Sequence, residues 1–268
     1  GMFASVYQLE DENQQWAVRC FDKRLSDQQE RYQAISRFIL EDHLPFTVDF
    51  HYIEDGIKCG DAWFPVLKMP WVEGESLESY LGKIYREPEL LQKLRREFQL
   101  MMDQLRINGA AHGDLQHGNI LVKDGEIYLV DYDGFFVPEL SGKKSNELGH
   151  HNFQHPGRSE NHFGPYLDNF AAWLIDFSLF CLIEDPQLWE TFSGGDECLL
   201  FRRSDFIKPD SSALISALKH HRSEKIRDGV EILLDLLRKP LEEIPFFESD
   251  MSVAIELKEM QTQGDLTN

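Results

Sequence analysis

The chain has 268 residues, 42% of them apolar, which suffices for a sizeable core and fits one domain built as two lobes. Its 27 lysines and arginines stand against 47 aspartates and glutamates, and the formal net charge of -20 repels nucleic acid and anionic lipid while favouring basic partners. No run approaches about 18 apolar residues, and no basic stretch followed by an apolar block opens the chain, so neither a membrane span nor a secretory signal is predicted and the expected location is cytoplasmic. Cys20, Cys59, Cys181 and Cys198 are scattered without metal spacing and read as reduced core thiols.

In chain order, an apolar start with Phe3, Ala4, Val6 and Tyr7, an acidic turn at residues 10–13 and Trp16-Ala17-Val18-Arg19-Cys20-Phe21 predict a β-hairpin. Ser26-Asp27 supplies N-cap chemistry, and Tyr32, Ile35, Phe38 and Ile39 follow at helical spacing, which predicts a helix over 26–41. Residues 47–53, a turn at Glu54-Asp55-Gly56, then 57–59 and 63–69 read as further antiparallel strands of a small sheet. Met69-Pro70-Trp71-Val72-Glu73-Gly74 marks a boundary. After Pro88, the stripe Leu91, Leu94, Phe98, Met101, Leu105 predicts an amphipathic helix that stops at Asn108-Gly109.

That helix delivers the chain into His112-Gly113-Asp114-Leu115-Gln116-His117-Gly118-Asn119. An apolar run, an Asp124-Gly125 turn and a second apolar run then lead to Asp131-Tyr132-Asp133-Gly134. Asp114, Asn119 and Asp131 therefore stand at the margins of one hairpin. Phosphoryl transfer needs such groups: a carboxylate to accept a hydroxyl proton, and oxygen ligands for magnesium. Residues 142–165 are polar and aperiodic, carry His150, His151, His155 and His162, and read as a structured peptide-binding loop. Asp168 opens a helix to residue 183 that is apolar on almost every side, so its carboxylate must find partners there or cap the helix. A further helix around 230–237 is stopped by Pro240, and the polar residues 251–268 are expected to be a mobile tail.

The order and spacing of these residues resemble the protein-kinase superfamily, whose catalytic loop runs His-x-Asp-x-x-x-x-Asn and whose metal loop is Asp-Phe-Gly, here Asp131-Tyr132-Asp133. Gly113 replaces the arginine before the aspartate and Gln116 the lysine two after it, so the loop is closer to the aminoglycoside and choline kinases. The lack of a large insertion between the lobes tilts the resemblance toward bacterial Ser/Thr kinase-like proteins. It implies an α+β, two-lobed fold over residues 1–250, with an antiparallel small lobe at 1–70 and a mostly helical large lobe at 71–250.

It also implies ATP and Mg2+ as cofactors, Asp114 as catalytic base with Asn119 beside it, and Asn119 and Asp131 as metal ligands. His112 would support the loop, and Asp168 would accept hydrogen bonds from its backbone. In the small lobe, Gly1 and Ala4 stand at the last two glycine positions of a nucleotide-covering loop, with Val6 packing on the base. Gly1-Met2 reads equally as an added residue before a start methionine, which would put most of that loop outside the sequence. Ala17 and Arg19 occupy the Ala-x-Lys phosphate site, Glu30 is the helix glutamate expected to pair with Arg19, and Pro70 and Val72 would hold adenine through main-chain groups. His155-Pro156-Gly157 stands where the family has Ala-Pro-Glu. Three activities stay open: a kinase acting on a protein hydroxyl, a small-molecule kinase with a cationic acceptor, and a nucleotide-binding pseudokinase scaffold.

Overall fold

The computed structural model describes residues 4–10, 12, 14–21 and 27–246, so Gly1, Ser26 and the tail 251–268 lie outside the described residues. Strands β1 (Ala4–Glu10) and β2 (Gln15–Phe21) form the expected hairpin, in a register that sets Val6 opposite Arg19. Helix α1 (Gln28–Asp42) follows, with Tyr32, Ile35 and Ile39 turned inward at the spacing read from the sequence. Strands β3 (His51–Cys59) and β4 (Ala62–Pro70) complete an antiparallel sheet in the order β1-β2-β4-β3.

Two strand assignments need correction. The turn expected at Glu54-Asp55-Gly56 is absent: β3 runs through it with a register shift between Ile53 and Ile57, and the chain reverses beyond Cys59 instead, where Gly60 has φ +61°. Gly56 serves close strand approach, because a Cβ there would lie 2.2 Å from Val66 Cγ2. The strand also starts at His51 rather than at residue 47. Residues 46–48 are recruited by the other lobe, since the Leu129 N–H donates to the Phe46 carbonyl and the Val48 N–H to the Tyr132 hydroxyl, both at 2.7 Å.

The large lobe begins with β5 (Glu75–Ser76), α2 (Leu77–Ile84) and α3 (Pro88–Ile107). Strands β6 (Ile120–Lys123) and β7 (Glu126–Leu129) pair in the predicted hairpin and join β5 in a second sheet, order β5-β6-β7. Helix α4 (Asn169–Glu184) is buried at every position from Asn169 to Leu182, as its all-round apolar sequence requires. Around it pack α5 (Gln187–Thr191), α6 (Arg203–Ile207) and α8 (Glu224–Leu236), and α7 (Ala213–Lys219) packs on α8. Cys181 and Cys198 are buried thiols, but Cys59 at the end of β3 is exposed. Among the described residues no helix is long and apolar enough to cross a membrane.

One polar contact fixes α3 against α4. Arg95 grips Asp176 with both arms, Nε to Oδ1 at 2.8 Å and Nη2 to Oδ2 at 2.7 Å, while Gln99 adds a third donor at 2.8 Å. The Asp176 side chain is 1% exposed. Removing one member of a buried pair leaves the other charge without compensation, so Asp176→Ala is expected to lower the unfolding free energy by about 3 kcal/mol in urea denaturation. A loss below about 1 kcal/mol would place the pair with solvated surface bridges.

Candidate active site

Helix α3 ends at Asn108, Gly109 takes φ +64°, and the chain passes through a bridge between Ala111 and Phe136 into the loop at His112. The His112 ring is fully buried; Nε2 contacts the Val130 carbonyl at 2.9 Å, and Nδ1 accepts the Asp114 N–H at 3.3 Å. These two contacts assign the proton to Nε2. Asp168, 2% exposed, accepts the N–H groups of Gly113, at 2.8 Å, and of His112. Its side chain makes no capping bond to α4, so the expected loop-anchoring geometry is present and the cap geometry is not. Gly113 has φ +79°, and a Cβ there would stand 2.1 Å from the Gly134 carbonyl oxygen. Any side chain at 113, including the arginine usual in the resembled loop, would collide with the backbone after Asp131.

The β6–β7 register pairs Ile120 with Leu129, and the Val130 N–H donates to the Asn119 carbonyl at 3.0 Å, which brings Asn119 next to Asp131 across the open end of the hairpin. Asn119 Nδ2 donates to the Asp114 carbonyl at 2.9 Å and to Asp114 Oδ2 at 3.0 Å. Both amide hydrogens are thus spent, and Oδ1 is the end left to ligate. Asp131 takes φ +66°, a left-handed conformation costly for a side chain other than glycine.

Arg19 reaches this point from β2. Its Nη1 meets Asp131 Oδ1 at 2.5 Å and its Nη2 binds Asp133. The expected pairing with Glu30 does not occur: Glu30 is exposed and receives Lys143 Nζ at 2.7 Å. Two helical residues lie about 200° apart around the axis, so the face that looks at Arg19 presents Tyr32 instead. Its hydroxyl donates to Asp133. In the sequence Tyr32 stands at a core position that gives no sign of this bond, whereas Asp133 is signalled by its place in the metal motif.

Ala17 and Val72 are partly buried and pack against the core. Pro70 pairs with Trp16 at the end of β4, the Trp71 N–H donates to the Gln15 carbonyl at 2.9 Å, and Val72 accepts the Gly74 N–H at 2.9 Å. Val6 is 58% exposed on β1.

The site holds more acid than base. Burial and then Asp131 push the pKa of Asp133 up to about 6 against the pull of Arg19. Glu147 also belongs here, unanticipated from sequence: its carboxyl lies over Gly134, where a Cβ would come within 2.8 Å of Oε1. Burial first, then Asp131, Asp133 and Asp114, push its pKa up to about 8. Burial works against the charge on Arg19, but Asp131 and Asp133 outweigh it and raise its affinity for its proton. Crowded hard oxygen donors suit a divalent cation such as Mg2+. Among the described residues no three acidic, imidazole or thiol groups already converge as an ion cage.

Residues 142–165 are tied down at several points. His150 N–H donates to Asp114 Oδ1 at 2.6 Å, Asn152 Nδ2 to the Glu197 carbonyl at 2.9 Å, and the buried Arg158 to Gln154 Oε1 at 2.7 Å. The histidines divide: His150 stacks on His151 with ring centroids 4.8 Å apart, whereas His155 contacts the Leu237 carbonyl and His162 pairs with Glu242.

No protein-family model matches the chain. A solved structure, the kinase PK-1 of the Cydia pomonella granulovirus, is similar in fold with a TM-score of 0.55 and 15% identity, covering 89% of this chain and 88% of that one. Over 67 residues the chain is 33% identical to the KEOPS complex subunit Bud32 of Pyrococcus abyssi, a match spanning 25% of this chain and 30% of that protein. The chain has the two-lobed, α+β protein-kinase-like fold.

Two outcomes follow from the geometry. Asp168→Ala would leave the buried N–H groups of His112 and Gly113 without acceptors and should cost about 2 kcal/mol or more in chemical denaturation; an unchanged midpoint would mean that water replaces the carboxylate. For Glu147 the folded pKa lies above the unfolded one, so the folded state binds more protons and stability is lost as pH rises from the ordinary carboxylate range to about 8. Glu147→Gln should therefore melt higher than the parent without ligands, by a margin that widens between about pH 5 and pH 8. A margin independent of pH would show Glu147 to be solvated.

Proposed function

We propose that this chain is a Mg2+- and ATP-dependent phosphotransferase that moves the γ-phosphoryl group to a hydroxyl, in the manner of a Ser/Thr protein kinase. The observation that carries this reading is the meeting of Asp114, Asn119 and Asp131: Asn119 Nδ2 lies 3.0 Å from Asp114 Oδ2, and its backbone carbonyl holds the residue before Asp131.

Asp114 is held by neutral donors, so its carboxylate can orient an acceptor hydroxyl and take its proton as the new O–P bond forms. Asp131 and Asn119 Oδ1 are the donors that would hold Mg2+. ATP would supply the phosphoryl group, the bond from its γ-phosphorus to the β–γ bridging oxygen breaking as the new O–P bond forms and ADP leaving, while Mg2+ would neutralise the charge that develops. Arg19 offers a planar fork to phosphate oxygens, a pose unlike that set by a lysine point charge. Ala17 and Val72 give an adenine ring apolar contact, Val6 covers it from the hairpin, and the Pro70 carbonyl and Val72 N–H serve its edge.

The acceptor is a protein hydroxyl on a basic partner. A net charge of -20 disfavours nucleic acid and anionic membrane, and suits a protein acting in the cytoplasm. The crowding of Glu147 with Asp131, Asp133 and Asp114 favours a cationic small-molecule acceptor as a second reading, because a cation there would replace the proton that Glu147 holds. A scaffold without transfer draws support from Arg19, which closes on the metal ligand Asp131 at 2.5 Å.

The test uses labelled ATP and calorimetry together. Asp114→Ala should reduce transfer at least about 100-fold while ATP affinity stays close to the parent's, because the base acts only in the transition state. Asp131→Asn should lose the magnesium-dependent part of that affinity. Transfer undiminished in Asp114→Ala would reject the base, and a parent that binds Mg·ATP without transferring phosphate is the scaffold.

A further inference from the structure

The charge expected on α1 to hold Arg19 is not on α1. Asp133 takes its place from the metal loop, and Tyr32 supplies the link to the helix. The Tyr32 ring is clamped on three sides: Tyr52 stacks on it with centroids 5.3 Å apart, Phe21 lies at 5.6 Å and Phe50 meets it edge-on at 5.8 Å. A 4% exposed ring held in that way can deliver its hydroxyl to one place, and that place is an Asp133 oxygen. The other Asp133 oxygen binds Arg19 Nη2. Arg19 itself spans two carboxylates, Asp131 through one arm and Asp133 through the other, with its guanidinium 5.8 Å from the Phe21 ring centroid.

We infer that Tyr32 and Asp133 are positioning residues that together replace the helix glutamate, and that Asp133 keeps Arg19 in place when a divalent cation draws Asp131 away. The inference rests on the phosphotransferase reading only in its second half. One guanidinium shared by two carboxylates leaves one negative charge in excess, which a divalent cation can take up. A cation that recruits Asp131 leaves Arg19 with Asp133, so the cation does not have to break the arginine's last ion pair. The neutral phenol serves here better than a glutamate would, since a third carboxylate between Asp131 and Asp133 would add like-charge repulsion. The relay adds one O–H···O bond between α1 and the metal loop to the contacts of Phe38 with Phe135 and of Arg37 with Glu139.

The anchor is tested without nucleotide by modifying the full chain with phenylglyoxal and following Arg19 by peptide mass spectrometry. Tyr32→Phe removes one oxygen and keeps the ring packing, and Asp133→Asn removes the charge. Each should label Arg19 on the order of tenfold faster than the parent, and Mg2+ should accelerate labelling further in Asp133→Asn but not in the parent. Labelling at the parent's rate in both variants would overturn the inference. Should Asp133→Asn fail to fold, Tyr32→Phe alone decides.

Calorimetry separates the two readings. The affinity of Asp133→Asn for Mg·ATP should fall on the order of tenfold, with a smaller effect on ATP alone. Undiminished affinity overturns the holding role of Asp133. If Arg19 labels as expected while the parent binds no Mg·ATP, the anchor stands and the phosphotransferase reading falls.

Discussion

A buried carboxylate must find donors, and Asp168 finds the backbone N–H groups of His112 and Gly113, with the charge of Arg158 helping from farther off. The rest of the site hangs from that contact. It fixes the start of the loop at His112 to the N-terminal end of α4, the most deeply buried helix, so the loop inherits the rigidity of the core. His112 then reaches across to the Val130 carbonyl and ties the same loop to the residue between the end of β7 and Asp131. Between them, Gly113 lies so close to Gly134 that no side chain fits. Asp114 and Asp131 are therefore placed by backbone contacts, and their side chains remain available for chemistry.

The second determinant is charge. Asp131 and Asp133 share the guanidinium of Arg19, Asp114 and Glu147 lie nearer the buried Arg158, and burial leaves too little water to screen the excess acid. In the ligand-free protein the imbalance is relieved by proton uptake on Glu147, whose pKa is pushed up to about 8, and by the double pairing of Arg19. The same excess of acid extends to the whole chain, whose formal net charge is -20.

The parts of this arrangement legible in the sequence are those that depend on periodicity and local turn chemistry. The Asp124-Gly125 turn between two apolar runs foretold the β6–β7 hairpin, and with it the adjacency of Asn119 and Asp131. Asp168 was legible because an aspartate heading an all-apolar helix has nowhere to put its charge. What was not legible depends on how elements face one another. Glu30 and Tyr32 are two residues apart, and nothing in the spacing says which looks at β2. An aromatic residue at a core position also hides the hydrogen bond of its hydroxyl. Gly56 carried turn chemistry, but its role is set by Val66 on the neighbouring strand. Glu147 lies in an aperiodic stretch, where only the fold brings it over Gly134.

Compared with the resembled kinase pattern, the departures are relocations of charge. The arginine before Asp114 is gone, and Arg158 is buried within hydrogen-bond reach of Gln154 in the segment after the metal loop. The glutamate after Pro156 is gone too, and His155 on the other side of that proline contacts the Leu237 carbonyl at 3.4 Å. The helix glutamate has been replaced by Tyr32 acting through Asp133, and the lysine by Arg19, whose second arm is needed because it now has two partners. Lysine at 19 could not fork between Asp131 and Asp133, and glycine at 133 would leave Tyr32 with no oxygen to meet. The substitutions around Arg19 therefore form one set, in which each residue accounts for another.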